Sequence, residues 1–211
     1  MNYLRVFIFG LFITHHVQAF FINLPQKIIN NFNKHFSIAE ATLTKQLSSF
    51  VVADSYMEYI EDIHKLTKSK GRFGVLSTLG SSTKLKGYPI GSVVGYAINQ
   101  FGKPIMCLSE ISLHTKNIDK NTAVSLCVME ENFTNGDQQR VVFTGNIKKI
   151  EEEELENYYK HLYLDAHEDA LWVCLKSFTM FELDDIKDIY YIGGFGKAKK
   201  INVNNYLQYF L

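Results

Sequence analysis

The sequence predicts an α+β domain, mainly antiparallel β, with a few peripheral helices. Three observations predict it. Apolar runs of strand length recur from Phe73 onward, each closed by Gly, Pro, Asn or Ser. Phe and Tyr are abundant, 16 and 12 residues against a single Trp, and such side chains suit pleated, half-buried surfaces and aromatic-lined clefts. Helical signals concentrate in two stretches, beginning near Asp54 and at Glu151.

The bounds are simple. The 211 residues hold 22 Lys+Arg and 22 Asp+Glu, so a general nucleic-acid surface is not expected. Without its N-terminal part the chain suits one compact domain with a substantial core. It carries no internal repeat, Walker loop, Rossmann fingerprint, HExxH or Gly-x-Ser-x-Gly elbow. Hydrolase and nucleotide-kinase readings therefore have no residues to stand on. Cys107, Cys127 and Cys174 each lie in an apolar run and match no zinc spacing. All three are read as buried small hydrophobes, with a single disulfide left open and no metal site expected.

Residues 1–19 have a signal-peptide layout: Arg5, the apolar run Val6 to Ile13, and Val17-Gln18-Ala19 for cleavage. That apolar run is too short to span a bilayer, so no stable membrane anchor is expected. The expectation is entry to the secretory pathway, as a secreted or endomembrane-lumen protein. Residues 20–50 are basic and lack an acid before Glu40. They read as a flexible tail or as a transit peptide behind the signal, which opens an alternative route to a plastid of secondary origin. The domain itself is assigned to residues 51–211.

Within it, Asp54 or Ser55 caps a helix to about Lys68, with Tyr56, Tyr59, Ile60, Ile63 and Leu66 on one stripe and Ser69-Lys70-Gly71 as its stop. His64 reads as a helix-surface histidine. Phe73 to Leu79 is a buried strand, Gly80 to Gly87 a loop, and Pro89 opens a second strand because it cannot donate to a ladder. Gly91 and Gly95 within that strand mark a bend or a close approach. Asn99 to Gly102 is a hairpin turn and Pro104 to Leu108 the returning strand. Ala123 to Met129 and Arg140 to Ile150 are further strands, separated by a polar loop with the sequon Asn132-Phe133-Thr134. Glu151 to Glu154 opens a helix to about Tyr163, its acids suiting the positive end of the helix dipole. His161 and His167 read as surface residues. Leu171 to Leu183 and Asp188 to Ile192 read as two strands, Gly193 to Gly196 as a tight turn, and Asn202 to Tyr209 as a short helix or coil.

One stretch carries chemistry. Ser109-Glu110-Ile111-Ser112-Leu113-His114-Thr115-Lys116-Asn117 sets hydroxyls, an imidazole, a lysine and an amide at a strand end, with a short helical turn expected after Asn117. Ser109, Ser112, His114, Thr115 and Asn117 can all hydrogen-bond an oxyanion. The plainer reading is a strand end followed by a helix cap at Ser112.

The segments GYPIGSVVGYA, GKPIMCLSEISLHTKN, AVSLCVM and GGFGKA together resemble the pyridoxamine-phosphate-oxidase-like FMN-binding split barrels. The nearest branch is the one holding CREG-like secreted proteins and HugZ-type haem oxygenases, and the resemblance covers about residues 55–208. It implies a split β-barrel that binds FMN as a homodimer, acting as an oxidoreductase of unknown substrate. Ser92, Ser109, Ser112, His114, Thr115 and Asn117 then fall at the phosphate or ribityl chain, and Tyr88 and Phe195 near the flavin ring. GYPIGS departs from the better-characterised oxidases in lacking arginine. Two alternatives stand beside FMN. One is a cofactor-free CREG-like secreted binding glycoprotein. The other is a HugZ-like haem-binding or haem-degrading protein with His64, His114, His161 or His167 as axial ligand.

Overall fold

The computed structural model describes residues 26–68 and 73–211. The expected leader at 1–19, the start of the tail at 20–25 and the helix stop at Ser69-Lys70-Gly71 lie outside the described residues. The chain divides into two compact units, Met1–Ser55 and Tyr56–Leu211.

Helix α1 runs over Gln26–Thr67. The sequence reading expected a tail or transit peptide across most of its first half, with the helix starting at Asp54. No Gly or Pro falls between Gln26 and Thr67, and Pro25 stands where a helix start tolerates it. A segment rich in Asn, Lys and Ser is a poor helix former but not a forbidden one. In the first unit the side chains of residues 37–46 are exposed. In the second, Ile60, Ile63 and Leu66 are buried as the predicted stripe requires.

The remaining elements are β1 (Phe73–Leu79), β2 (Pro89–Gly95), β3 (Ala97–Ile98), β4 (Pro104–Ser109), α2 (Leu113–Ile118), β5 (Ala123–Met129), β6 (Arg140–Lys149), α3 (Glu153–Ala166), a 3₁₀ turn (Leu171–Cys174), β7 (Phe178–Ile192), β8 (Ala198–Ile201) and α4 (Val203–Gln208). One antiparallel sheet orders them β2-β1-β5-β6-β7-β4-β3, with β8 also paired to β7. The sheet curls into a split barrel, bringing β2 beside β4. Among the described residues no helix is long and apolar enough to cross a membrane.

Strand alternation sorts the side chains between two faces. Leu76, Leu126, Phe143 and Ile189 point inward and pack with Ile60 and Ile63 of α1 and Tyr206 of α4. A second core forms where Tyr159 and Tyr163 of α3 cover Cys107 of β4 and Met180 of β7. Gly95 belongs to this joint, since a side chain there would run into the Tyr163 hydroxyl.

Three strand expectations are corrected. Leu171 to Cys174 is a 3₁₀ turn rather than the start of a strand, and β7 continues unbroken past Asp184 and Asp185. The partner β6 holds it together by register shifts at Thr144/Gly145 and Asn146/Ile147, a bulged pairing that sequence alone does not announce. The lysine-rich segment after the GGFG turn forms β8, an edge strand whose charges blunt further pairing. The cysteines also divide: Cys107 is buried, Cys127 half-buried and Cys174 exposed, all as free thiols.

Candidate functional site

Helix α2 contains His114 to Asn117 instead of following them. Ser112 occupies the cap position but its side chain does not cap the helix. It turns back to the strand end: Ser112 Oγ and Thr115 Oγ1 donate to the Ser109 carbonyl at 2.6 and 2.7 Å. Ser112 Oγ also lies 3.0 Å from Thr115 Oγ1 and 2.7 Å from His114 Nε2. With both hydroxyl hydrogens on the carbonyl, Ser112 Oγ accepts from His114 Nε2–H, an assignment fixed by the network. His114 Nδ1 is then the lone-pair nitrogen, and among the described residues none donates to it. The ring is half-buried, and burial pushes its pKa below the ordinary histidine value. Beside it, Ile111 and Leu113 stand 76% and 47% exposed, and Lys116 is exposed on the same helix.

Asn117 serves a different purpose. It is completely buried; its Oδ1 accepts from the backbone N and Oγ of Ser81, both at 2.9 Å, and its Nδ2 donates to Thr78 Oγ1 at 3.0 Å. It pins α2 to β1 and to the loop that follows.

The other expected site residues lie elsewhere. Ser92 sits within β2, opposite Leu76. Tyr88, at the entry to that strand, is 64% exposed and Phe195 96% exposed. Phe195 is carried by the β7–β8 turn, where Gly194 and Gly196 take φ of 142° and 72°; that left-handed backbone explains the glycines. Ser109, Ser112, His114 and Thr115 are joined by hydrogen bonds, while Tyr88, Ser92 and Phe195 hold separate positions on β2 and beyond β7.

The remaining histidines differ from the sequence reading, except His161, which is exposed. His64 packs its ring against Tyr209 and Phe210 at 5.5 and 5.2 Å. Its Nδ1 is buried without a partner, and burial, then Lys68, lowers its pKa. His167 is buried, stacked on Tyr163 at 4.5 Å, and donates from Nε2 to the Tyr96 carbonyl at 2.9 Å. A buried network was also missed. Asn99 Nδ2 and Tyr159 OH both donate to Glu182 Oε1, at 2.7 and 3.0 Å. Burial first of all pushes the Tyr159 pKa up to about 12. Its members come together from three separate elements, so no local pattern signals it.

The lowered pKa values of His64 and His114 set a sign for stability. Both imidazoles are neutral when folded and titrate near pH 6.5 when unfolded. The folded state resists protonation, so stability is complete above about pH 6.5 and falls as pH drops. Thermal melts should show a lower Tm at pH 5 than at pH 7, and the His64→Gln/His114→Gln variant a flatter dependence.

The fold and this geometry define a split β-barrel with a polar strand-to-helix junction. Residues 65–208 match the family described as CREG, beta-barrel. The chain belongs to the CREG β-barrel family. It is 31% identical over 127 residues to the non-canonical heme oxygenase HOZ, chloroplastic, of Arabidopsis thaliana, covering 59% of this chain but only 37% of that protein. Among solved structures, a heme-binding protein from Mycobacterium smegmatis matches with TM-score 0.57 and 23% identity, over 65% of this chain and 55% of that one. Campylobacter jejuni ChuZ matches with TM-score 0.59 and 19% identity, over 72% and 61%. These structural likenesses speak to the fold.

Proposed function

We propose that this chain is a haem-binding split-barrel protein, with haem degradation as its activity. The observation that carries the reading is His114: a half-buried, neutral imidazole with a free Nδ1 beside exposed Ile111 and Leu113. A neutral ring nitrogen is the donor that haem iron takes. Ser112, bonded to the other nitrogen, fixes the ring's tautomer and orientation, as outer-shell partners of ligating histidines do. Ile111 and Leu113 supply apolar surface for the macrocycle, and Lys116 a cation for its carboxylates. Haem, when bound, supplies the redox chemistry at its iron. The similarity to a heme oxygenase over 127 residues supports the same direction.

The FMN reading asks more of the junction than it offers. Ser112 and Thr115 spend their hydrogens on the Ser109 carbonyl and Asn117 spends its amide on Thr78. A phosphate dianion would need those donors, and would raise the His114 pKa that burial lowers. The test is a visible spectrum of the purified protein with haemin and, separately, with FMN. A Soret band that shifts and saturates at one haemin per site is expected, with no saturable change on FMN. A saturable flavin signal without a Soret shift would overturn the proposal, and neither signal would favour the cofactor-free binding protein.

A further inference from the structure

The register of the sheet builds an apolar stripe on its outer side. Val75 pairs with Val93 on β2 and with Cys127 on β5. Cys127 pairs with Val142 on β6, which pairs with Tyr190 on β7. These five residues form one row across five strands, all on the face opposite the buried Leu76, Leu126 and Phe143. Two residues along runs a row of small side chains: Gly91, Ser77, Ser125 and Thr144, ending at Asp188.

The outer face of β4 is covered by α3, but this part of the sheet is not. Val93 is 73% and Tyr190 42% exposed, and Phe73 at the border 53%. Five strands about 4.8 Å apart, each of seven residues at about 3.4 Å, make a face on the order of 450 Å². An apolar patch of that size on a chain marks an interaction site. An antiparallel sheet with one face solvated ordinarily shows polar residues there.

We propose that this face is the interface between two copies of the chain, packed sheet to sheet about a two-fold axis. The page favours a second copy over another partner on two grounds. A two-fold axis between the rows sets the Val/Cys/Tyr ridge of one copy into the Gly/Ser/Thr trough of the other, so the surface complements itself, as an isologous contact must. The charge also suits self-pairing. Asp188 at the end of the small row is paired to Lys200 at 2.7 Å. Arg140 at the border is spent on the Gly136 and Gln138 carbonyls and on the Phe133 ring. No uncompensated charge meets its own copy across the axis. Haem plays no part in this inference.

The full chain without added cofactor provides the test. Light scattering at micromolar concentration should give the mass of two chains. The Val93→Glu/Tyr190→Glu variant should give the mass of one, because four carboxylates would then face one another in the joint. Leu171→Glu, at an 80% exposed residue of the 3₁₀ turn, should keep the two-chain mass. Cys127 lies in the middle of the row and Cys174 outside it, which gives a second readout. Maleimide should label Cys127 several-fold faster in the double variant, with the Cys174 rate unchanged. A single-chain mass for the wild type overturns the proposal, as does a two-chain mass for the double variant. Should that variant lose its melting transition, Val93→Ser/Tyr190→Ser replaces it. Its dimer dissociation constant should rise at least about tenfold, roughly 1.4 kcal/mol, and an unchanged constant overturns the proposal equally.

Discussion

Replacing His114 by alanine should remove most haemin binding while leaving the fold intact. The ring is half-buried at a strand-to-helix junction, and its one hydrogen bond goes to Ser112 Oγ, which keeps the Ser109 carbonyl as a partner. No buried group is stranded by the change, so the melting temperature should move little. The loss of affinity should exceed the roughly 10–100-fold that removal of an outer-shell partner costs a metal site. Ser112→Ala should fall within that lower range, since it frees the ring to turn without removing the donor nitrogen. His161→Ala, an exposed position on α3, should bind haemin as the wild type does. Titration of the Soret band in the three variants checks the order.

Asn117→Ala should do the reverse: a large loss of stability. Asn117 makes three hydrogen bonds from a fully buried site, two to Ser81 and one to Thr78. Thr78 is itself only 1% exposed, so the substitution leaves a buried hydroxyl without its partner and opens a small cavity. Stranding such a group costs about 1–3 kcal/mol, and the lost bonds to Ser81 add to it. A total of about 3 kcal/mol lowers Tm by roughly 6–12 °C in a domain of this size. Below its transition the variant should still bind haemin. Equal melting temperatures for wild type and variant, with binding lost, would return Asn117 to the site.

The contrast between these neighbours shows how far the sequence was legible. The polar segment from Ser109 to Asn117 stood out because five hydrogen-bonding side chains crowd a strand end. What each one bonds to is set by β1, some 36 to 39 residues away for Asn117, and no local pattern encodes that. The strands read well where side chains alternate between one buried and one open face, as in Phe73–Leu79 and Ala123–Met129. Reading failed where pairing overrides composition. Asp184 and Asp185 looked like a break, yet bulges in β6 carry β7 through them. Lys199 and Lys200 looked like a charged tail, yet they form the edge strand β8. His167 looked like a surface residue because its acidic neighbours are exposed, while the turn after α3 folds the ring onto Tyr163. The outer stripe from Val93 to Tyr190 was invisible for the same reason: it exists only once five strands are in register.

The account rests most on His114 as the residue that takes the iron. Resonance Raman spectroscopy of the reduced haem complex reads that bond directly. The wild type should show an iron–histidine stretching band, shifted by ⁵⁴Fe substitution, and His114→Ala should lack it until free imidazole is added. The same band at unchanged frequency in both proteins, without imidazole, would contradict the assignment.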